Sequence, residues 1–172
     1  MSAPRFLPLA CPRCSDDLAG RAVDRAAFCR ACGRAYRVDG SALADLPARR
    51  VTLLPGGGGA LLALPFWVLG PIAFPAFLGA RPLTLARIAT RALSTWRTAD
   101  GVEPPFPLGA RVTPASAPQV CRLARLPAPA ADAPLALLAV PARLEGGRYL
   151  LPGDAGTLYP DDLHEGRLLA QS

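Results

Sequence analysis

Two Cys-x-x-Cys pairs near the N-terminus constrain this chain more than any other feature of its sequence. Cys11 and Cys14 form the first pair, Cys29 and Cys32 form the second, and 14 residues lie between the pairs. A two-residue gap lets both thiolates of a pair point toward one position, and two such pairs supply the four sulfurs of a tetrahedral zinc site. The spacing therefore predicts one structural Zn²⁺ ion held by these four cysteines.

Two alternatives to zinc stay open on spacing alone. The cysteines could form structural disulfides, or one pair could be a thioredoxin-like redox motif, which needs a βαβ context and only one pair. The apolar run before Cys11 is broken by Pro8 and is too short for the core of a signal peptide. We therefore expect the thiols to stay on the reducing side of the membrane, where zinc is favoured over disulfides.

Residues 1–50 are expected to fold as a small β-structured zinc ribbon. Residues 26–28 predict a strand that enters the second cysteine pair, and residues 35–38 predict a strand that leaves it, closed by a turn at Asp39 and Gly40. A domain of this size buries little apolar surface, so metal binding supplies much of its folding free energy.

Residues 9–47 resemble a known family. The chain has a leucine before the first pair, a leucine after it, a glycine after the second pair, and then a tyrosine, a valine and a glycine turn, at Leu9, Leu18, Gly33, Tyr36, Val38 and Gly40. This pattern is similar to the small bacterial zinc ribbons related to the activator of tRNA and translation-factor methyltransferases. The chain departs from it at Arg37, where proline is usual, and at Ser41 and Ala42, where isoleucine and proline are usual. The resemblance implies a ribbon fold, zinc ligands at the four cysteines and activation of a methyltransferase.

The charge of the chain is positive and unevenly distributed. All 19 basic residues are arginine, and the formal net charge is +6. Residues 1–50 hold nine arginines against five acidic residues, residues 51–100 hold four against one, and residues 101–172 hold six against seven. Such a bias suits nucleic acid or anionic lipid headgroups, and it also suits an ordinary solvated surface.

An uncharged stretch follows the ribbon, from residue 51 to residue 80. Residues 51–59 contain four consecutive glycines and are expected to form a flexible joint. Residues 60–80 are apolar over about the 20 residues that a helix needs to cross a bilayer. Pro65, Pro71 and Pro75 interrupt this stretch, so a re-entrant hairpin and a soluble core segment are alternatives to a span. Length and lack of charge favour a membrane or re-entrant helical segment.

The rest of the chain predicts a helix and then a β-rich module. Residues 82–99 place apolar side chains at three- and four-residue intervals, with arginines opposite, which is typical of an amphipathic helix that could lie in the headgroup layer or on a soluble core. Residues 101–172 are proline-rich. Residues 119–126 predict a strand, and residues 135–151 predict a β-hairpin, within a small β-rich C-terminal module.

No constellation for catalysis is present in the sequence. His164 is the only histidine and lies in a charged turn, and Cys121 has no partner in the sequence. We therefore expect no catalytic and no cofactor-binding residues, and an activity that consists of binding.

The predicted function is that of a membrane-associated zinc-ribbon protein that binds a partner protein, as an accessory subunit or adaptor of a membrane complex. Its expected location is the cell membrane, with the ribbon on the cytoplasmic side and membrane lipid as a further contact. Two alternatives are a soluble zinc-ribbon activator of a methyltransferase, implied by the resemblance, and a nucleic-acid or ribosome-binding module, implied by the arginines.

Overall fold

The structure of this protein is a computed structural model that describes residues 10–158, apart from residues 22 and 108. Within these residues the fold is β-rich and has two short α-helices. In chain order the elements are β1 (Leu18–Ala19), β2 (Ala26–Cys29), β3 (Ala35–Asp39), β4 (Ala42–Leu46), β5 (Ala48–Val51), β6 (Leu61–Leu69), β7 (Ile72–Pro75), α1 (Pro82–Ala92), β8 (Thr98–Asp100), α2 (Ala117–Ala124), β9 (Leu135–Glu145), β10 (Arg148–Leu150) and β11 (Thr157–Leu158). Single 3-10 turns lie at Pro114–Ser116 and Pro152–Asp154.

The first four strands form an antiparallel sheet, which we call the ribbon sheet. Its order is β1-β2-β3-β4, and Leu18 lies opposite Cys29 in the first pairing. A two-residue turn at Gly40 and Ser41 joins β3 to β4, because Asp39 lies opposite Ala42. The ribbon sheet carries the four clustered cysteines in or next to its first three strands.

The remaining seven strands form a second sheet, which we call the body sheet. Its centre is β9, which pairs with β6 from Leu61 opposite Arg143 to Leu69 opposite Leu135. On its other side β9 pairs in parallel with β5 and antiparallel with β10. The outer strands are β7 beside β6, β8 beside β5, and β11 beside β10.

The prediction of a membrane or re-entrant helical segment over residues 60–80 is wrong. This stretch is the hairpin of β6 and β7, and Gly70 takes the positive φ of 57° that its two-residue turn needs. Both faces of β6 are covered: Leu64 packs toward α1 on one face, and Trp67 packs toward the ribbon sheet on the other. A strand buried on both faces shows no alternation of polar residues, so it resembles a span in sequence. In the described part of the chain, no helix combines the length and the apolarity that crossing a membrane requires.

The amphipathic helix expected over residues 82–99 is shorter, since α1 ends at Ala92 and residues 98–100 are a strand. Its apolar face lies against the body sheet, where Leu85, Ala86 and Ala89 are buried. The chain after the helix turns inward, and Trp96 donates a hydrogen bond from Nε1 to the Pro152 carbonyl oxygen at 3.1 Å. The apolar face of α1 is therefore buried in the core and is not free for a lipid surface.

The prediction of a separate β-rich C-terminal module over residues 101–172 is also wrong for the described residues. β9 is the central strand of the body sheet and pairs with β5 and β6 from the first half of the chain. The predicted strand at residues 119–126 is mostly α2, whose apolar residues Ala117, Cys121 and Ala124 are buried at helical spacing. Short apolar segments fit either period, and the tertiary context selects the helix here.

Candidate metal centre

The structure brings Cys11, Cys14, Cys29 and Cys32 together at one end of the ribbon sheet. Their four sulfur atoms all lie within 4.8 Å of one another. The Sγ atoms of Cys11 and Cys32 are 3.8 Å apart, and those of Cys14 and Cys29 are 3.4 Å apart. A tetrahedron of zinc–sulfur bonds of about 2.3 Å places sulfurs about 3.8 Å apart, whereas a disulfide requires about 2.05 Å. The thiols are free, and their arrangement is compatible with a bound metal ion.

The backbone of the second cysteine pair forms a tight turn around its own sulfur. The Cys32 N–H donates to Cys29 Sγ at 3.4 Å, and the Gly33 N–H donates to the Cys29 carbonyl oxygen at 3.1 Å. Gly33 has a φ of 66°, and a Cβ atom there would lie 2.9 Å from the Val102 carbonyl oxygen. Only glycine fits this position, because both the backbone angle and the approach of residue 102 exclude a side chain.

Tyr36 contacts one of the four cysteines through its hydroxyl group. Its hydroxyl lies 3.1 Å from Cys11 Sγ, and both side chains are buried. Burial raises the pKa of Tyr36 strongly, so its hydroxyl keeps its proton and is the donor in this contact. Burial also raises the pKa of Cys11, but the Tyr36 hydrogen bond and the backbone N–H groups of Cys14 and Arg13 outweigh it and lower that pKa to about 6.

Cys14 and Cys32 hold their protons more tightly when no cation is present, because their pKa values are raised. The Asp16 backbone lowers the pKa of Cys14, but the contact with Cys29 sulfur and burial outweigh this effect and raise that pKa to about 12. The Arg34 backbone lowers the pKa of Cys32, but burial and the contacts with the Cys29 and Cys11 sulfurs outweigh this effect and raise that pKa. Four thiolates at these distances repel one another, so a metal cation must displace the remaining protons as it binds.

A buried carboxylate joins the ribbon to the segment that crosses it. Asp24 is 2% exposed, and its Oδ2 accepts hydrogen bonds from the N–H groups of Arg21 at 3.2 Å and Gly109 at 3.1 Å. Its Oδ1 lies 4.0 Å from Arg111 Nε. Because the bonds to Asp24 come from both parts of the chain, the carboxylate fixes the ribbon sheet against residues 109–111.

The same segment contacts the ribbon at two further places. The Phe28 ring of β2 stacks on Phe106, with ring centroids 6.1 Å apart. The Val102 N–H donates to the Gly33 carbonyl oxygen at 3.2 Å, directly beside the second cysteine pair. The cysteine cluster is therefore connected to the body through contacts from Val102, Phe106 and Gly109.

A cleft of roughly 340 Å³ opens beside the cluster. It lies between the second cysteine pair and the connection from β4 to β5, and its lining includes Cys32, Gly33, Arg34, Asp45, Leu46 and Pro47. It contains the exposed side chain of Cys32 and residues of both charges, whereas pockets for small molecules are lined mainly by apolar side chains.

Of the two residues that the sequence predicts to lie away from the cysteine cluster, the structure describes only Cys121. Cys121 lies buried on α2, outside the cluster, and burial raises the pKa of its thiol. His164 lies outside the described residues. Sequence reasoning missed the roles of Tyr36 and Asp24: the aromatic residue four positions after Cys32 was the available signal for Tyr36, whereas no local pattern distinguishes Asp24 from a surface aspartate.

Comparison of the chain with known protein families, with curated proteins and with solved structures finds no match.

Proposed function

We propose that this protein is a non-catalytic zinc-ribbon adaptor, an accessory subunit that acts by binding a protein partner through its ribbon. The observation that carries the proposal is the cluster of four sulfurs within 4.8 Å. Four protein ligands complete a tetrahedral zinc sphere and leave no position for a substrate or an activated water molecule. Such a site holds a fold together, and the function then lies in the surface that the fold presents.

Zinc is the metal that this set of ligands favours. All four donors are thiolates, and their separations of 3.4 and 3.8 Å match the sulfur spacing around a tetrahedral zinc ion. One thiolate is already favoured before the ion arrives, because the Tyr36 hydroxyl donates to Cys11. Four thiolates on Zn²⁺ carry a net charge of −2, which the exposed arginines beside the cysteines balance in part.

A protein is the partner class that the ribbon favours over nucleic acid. Residues 10–46 contain six arginines and five aspartates, so the bound ion and its thiolates bring the ribbon to a net charge of about −1. A nucleic-acid surface needs an excess of positive charge, which the metal-loaded ribbon lacks. β4 is meanwhile an edge of the ribbon sheet within the described residues, and it flanks the cleft beside the cluster. An open edge offers backbone N–H and C=O groups to an extended segment of another protein.

A methyltransferase is the first partner class to test. Residues 9–47 resemble the zinc ribbons of methyltransferase activators, and the four cysteines that carry the resemblance do come together. The main argument for a membrane complex was the apolar stretch, and it no longer holds, because the hairpin of β6 and β7 is part of the core of this chain.

The test blocks the open edge while it preserves the hairpin. Asp45 is exposed on β4 opposite Tyr36, a position whose backbone N–H points away from β3 in a hairpin closed by a two-residue turn. Asp45→Pro removes this N–H group, and Asp45→Thr keeps it. We expect the tagged full-length protein to co-purify a defined protein that Asp45→Pro loses and Asp45→Thr retains, with zinc content equal in all three. Identical partners for both variants would exclude the β4 edge, and co-purified RNA in place of a protein would overturn the adaptor proposal.

A further inference from the structure

The two helices present arginines that pair with no acidic side chain in the part of the chain that the structure describes. Arg87 and Arg91 on α1, Arg122 on α2 and Arg125 at its end are exposed, and we call these four side chains the basic face. None of them forms an ion pair within the described residues. The surrounding sequence explains this, because residues 46–99 contain no Asp or Glu, and residues 104–131 contain none either.

The four arginines are neighbours. Arg87 donates from Nε to the Ala124 carbonyl oxygen at 2.8 Å, which places the base of its guanidinium at the C-terminal end of α2. Arg125 is the next residue and ends that helix in a left-handed conformation, with a φ of 55°. Arg91 follows Arg87 by one turn and shares its side of α1, and Arg122 lies in the last turn of α2, which Arg125 ends. The basic face therefore joins the two helices where Arg87 contacts the end of α2.

Exposed apolar side chains accompany the arginines. Leu123 is 49% exposed directly beside Arg122, and Leu78, in the segment that precedes α1, is also 49% exposed. The Val112 N–H donates to the Ala76 carbonyl oxygen at 2.7 Å, so the chain that leads into α2 runs beside the segment that carries Leu78. Leucine next to arginine suits a surface that offers both negative charge and hydrocarbon.

We propose that the basic face is a peripheral binding site for an anionic membrane surface. Charge complementarity identifies the partner, because acidic headgroups would supply the negative charges that residues 46–99 and 104–131 lack. Single-stranded nucleic acid is a weaker fit, since it needs exposed aromatic platforms, whereas α1 and α2 contain no aromatic residue. The contact is made by side chains on the outside of the fold, so it needs neither a spanning segment nor the partner of the ribbon.

The test uses zinc-loaded full-length protein and sedimentation with phosphatidylcholine vesicles, with and without phosphatidylglycerol. Each arginine near an anionic surface is worth about a fivefold factor in partitioning. Changing Arg91, Arg122 and Arg125 to Gln should therefore weaken binding to the anionic vesicles by roughly one hundredfold. Arg87 is left in place, because its bond to Ala124 also supports the packing of the two helices.

The matched control removes the same charge elsewhere, with Arg25, Arg49 and Arg148 changed to Gln. These arginines are exposed and lie outside the two helices. We expect the control to keep most of the vesicle binding, and far-ultraviolet circular dichroism and zinc content to be unchanged in both variants. Equal losses in both triple variants would show that only net charge matters and would overturn the site. No binding to anionic vesicles, or tighter binding of RNA or of an acidic protein that depends on the same arginines, would overturn the lipid assignment.

Discussion

Removal of the Asp24 carboxylate should destabilise the whole protein although the residue lies in the ribbon. The side chain is 2% exposed, and its Oδ2 accepts two backbone hydrogen bonds, from Arg21 and from Gly109. Hydrogen bonds to a charged acceptor contribute about 1.5–3 kcal/mol each, and the two N–H groups would stay buried in Asp24→Ala. We therefore expect Asp24→Ala to lower the free energy of unfolding by about 3–5 kcal/mol, and Asp24→Asn by about 1–2 kcal/mol because its amide oxygen still accepts.

Asp39→Ala is the matched control. Asp39 is exposed and pairs with Arg37 at 2.6 Å, and exposed ion pairs contribute at most about 1 kcal/mol. Asp39→Ala should therefore lower the free energy of unfolding only slightly, although the ion pair of Asp39 is shorter than the 4.0 Å contact between Asp24 and Arg111. Burial and backbone hydrogen bonds decide the difference between the two aspartates.

Urea unfolding of the zinc-loaded protein, followed by tryptophan fluorescence, measures the loss of stability caused by Asp24→Ala in the body of the protein. Both tryptophans, Trp67 and Trp96, lie in the body, so a shift of their transition reports coupling between the ribbon and the body. A loss below about 1 kcal/mol for Asp24→Ala, or one equal to that of Asp39→Ala, would refute the reasoning. Combining Asp24→Ala with Arg111→Met in a double-mutant cycle separates the ion-pair energy from the backbone bonds.

Three further predictions concern the metal and the core. Cys14→Ser should lose most of the bound zinc measured by elemental analysis, whereas Cys121→Ser should keep one ion per chain; full occupancy after the first change would remove Cys14 from the site. Zinc titration in unbuffered solution at neutral pH should release fewer than four protons per ion, because the pKa of Cys11 is lowered to about 6. Tyr36→Phe should raise the number of protons released. Zinc should also dissociate as the pH falls, since protons then compete for the thiolates. Leu64→Ala should lower the free energy of unfolding in detergent-free buffer by about 2–5 kcal/mol, because Leu64 is fully buried between the body sheet and α1, and a loss under about 1 kcal/mol would contradict that burial.

The cluster of four cysteines could be predicted from sequence because its information is local. The two-residue gaps and the intervening 14 residues determine how the cysteines turn, whatever the body does. Gly33 is also readable in sequence, since a chain that leaves such a turn needs a positive φ, and 66° is observed. The identity of the metal is inferred from sulfur chemistry and stays a prediction.

The body could not be predicted because its information is non-local. Whether residues 60–80 form a helix or a hairpin depends on β9, which covers the other edge of β6 and whose paired residues lie 66 to 82 positions further along the chain. Sequence periodicity reports one buried face, and it loses its signal where two faces are buried. The three prolines argued against a continuous helix, and each has a place in the hairpin. Pro71 lies in the turn, Pro75 ends the edge strand β7, and the carbonyl oxygen of Pro65 accepts a hydrogen bond from the Ala76 N–H.

The central position of β9 has a consequence for how this protein folds during its synthesis on the ribosome. The four cysteines can come together once Cys32 has emerged, yet β5 and β6 must wait for residues 135–145 before the body sheet can form. Throughout that interval the uncharged residues 51–80 are synthesised and have no strand to cover them. Pairings between distant segments form slowly, and exposed apolar strands aggregate in the meantime. A chaperone, or fast translation of residues 81–145, would therefore raise the yield of folded protein more than any stabilisation of the ribbon.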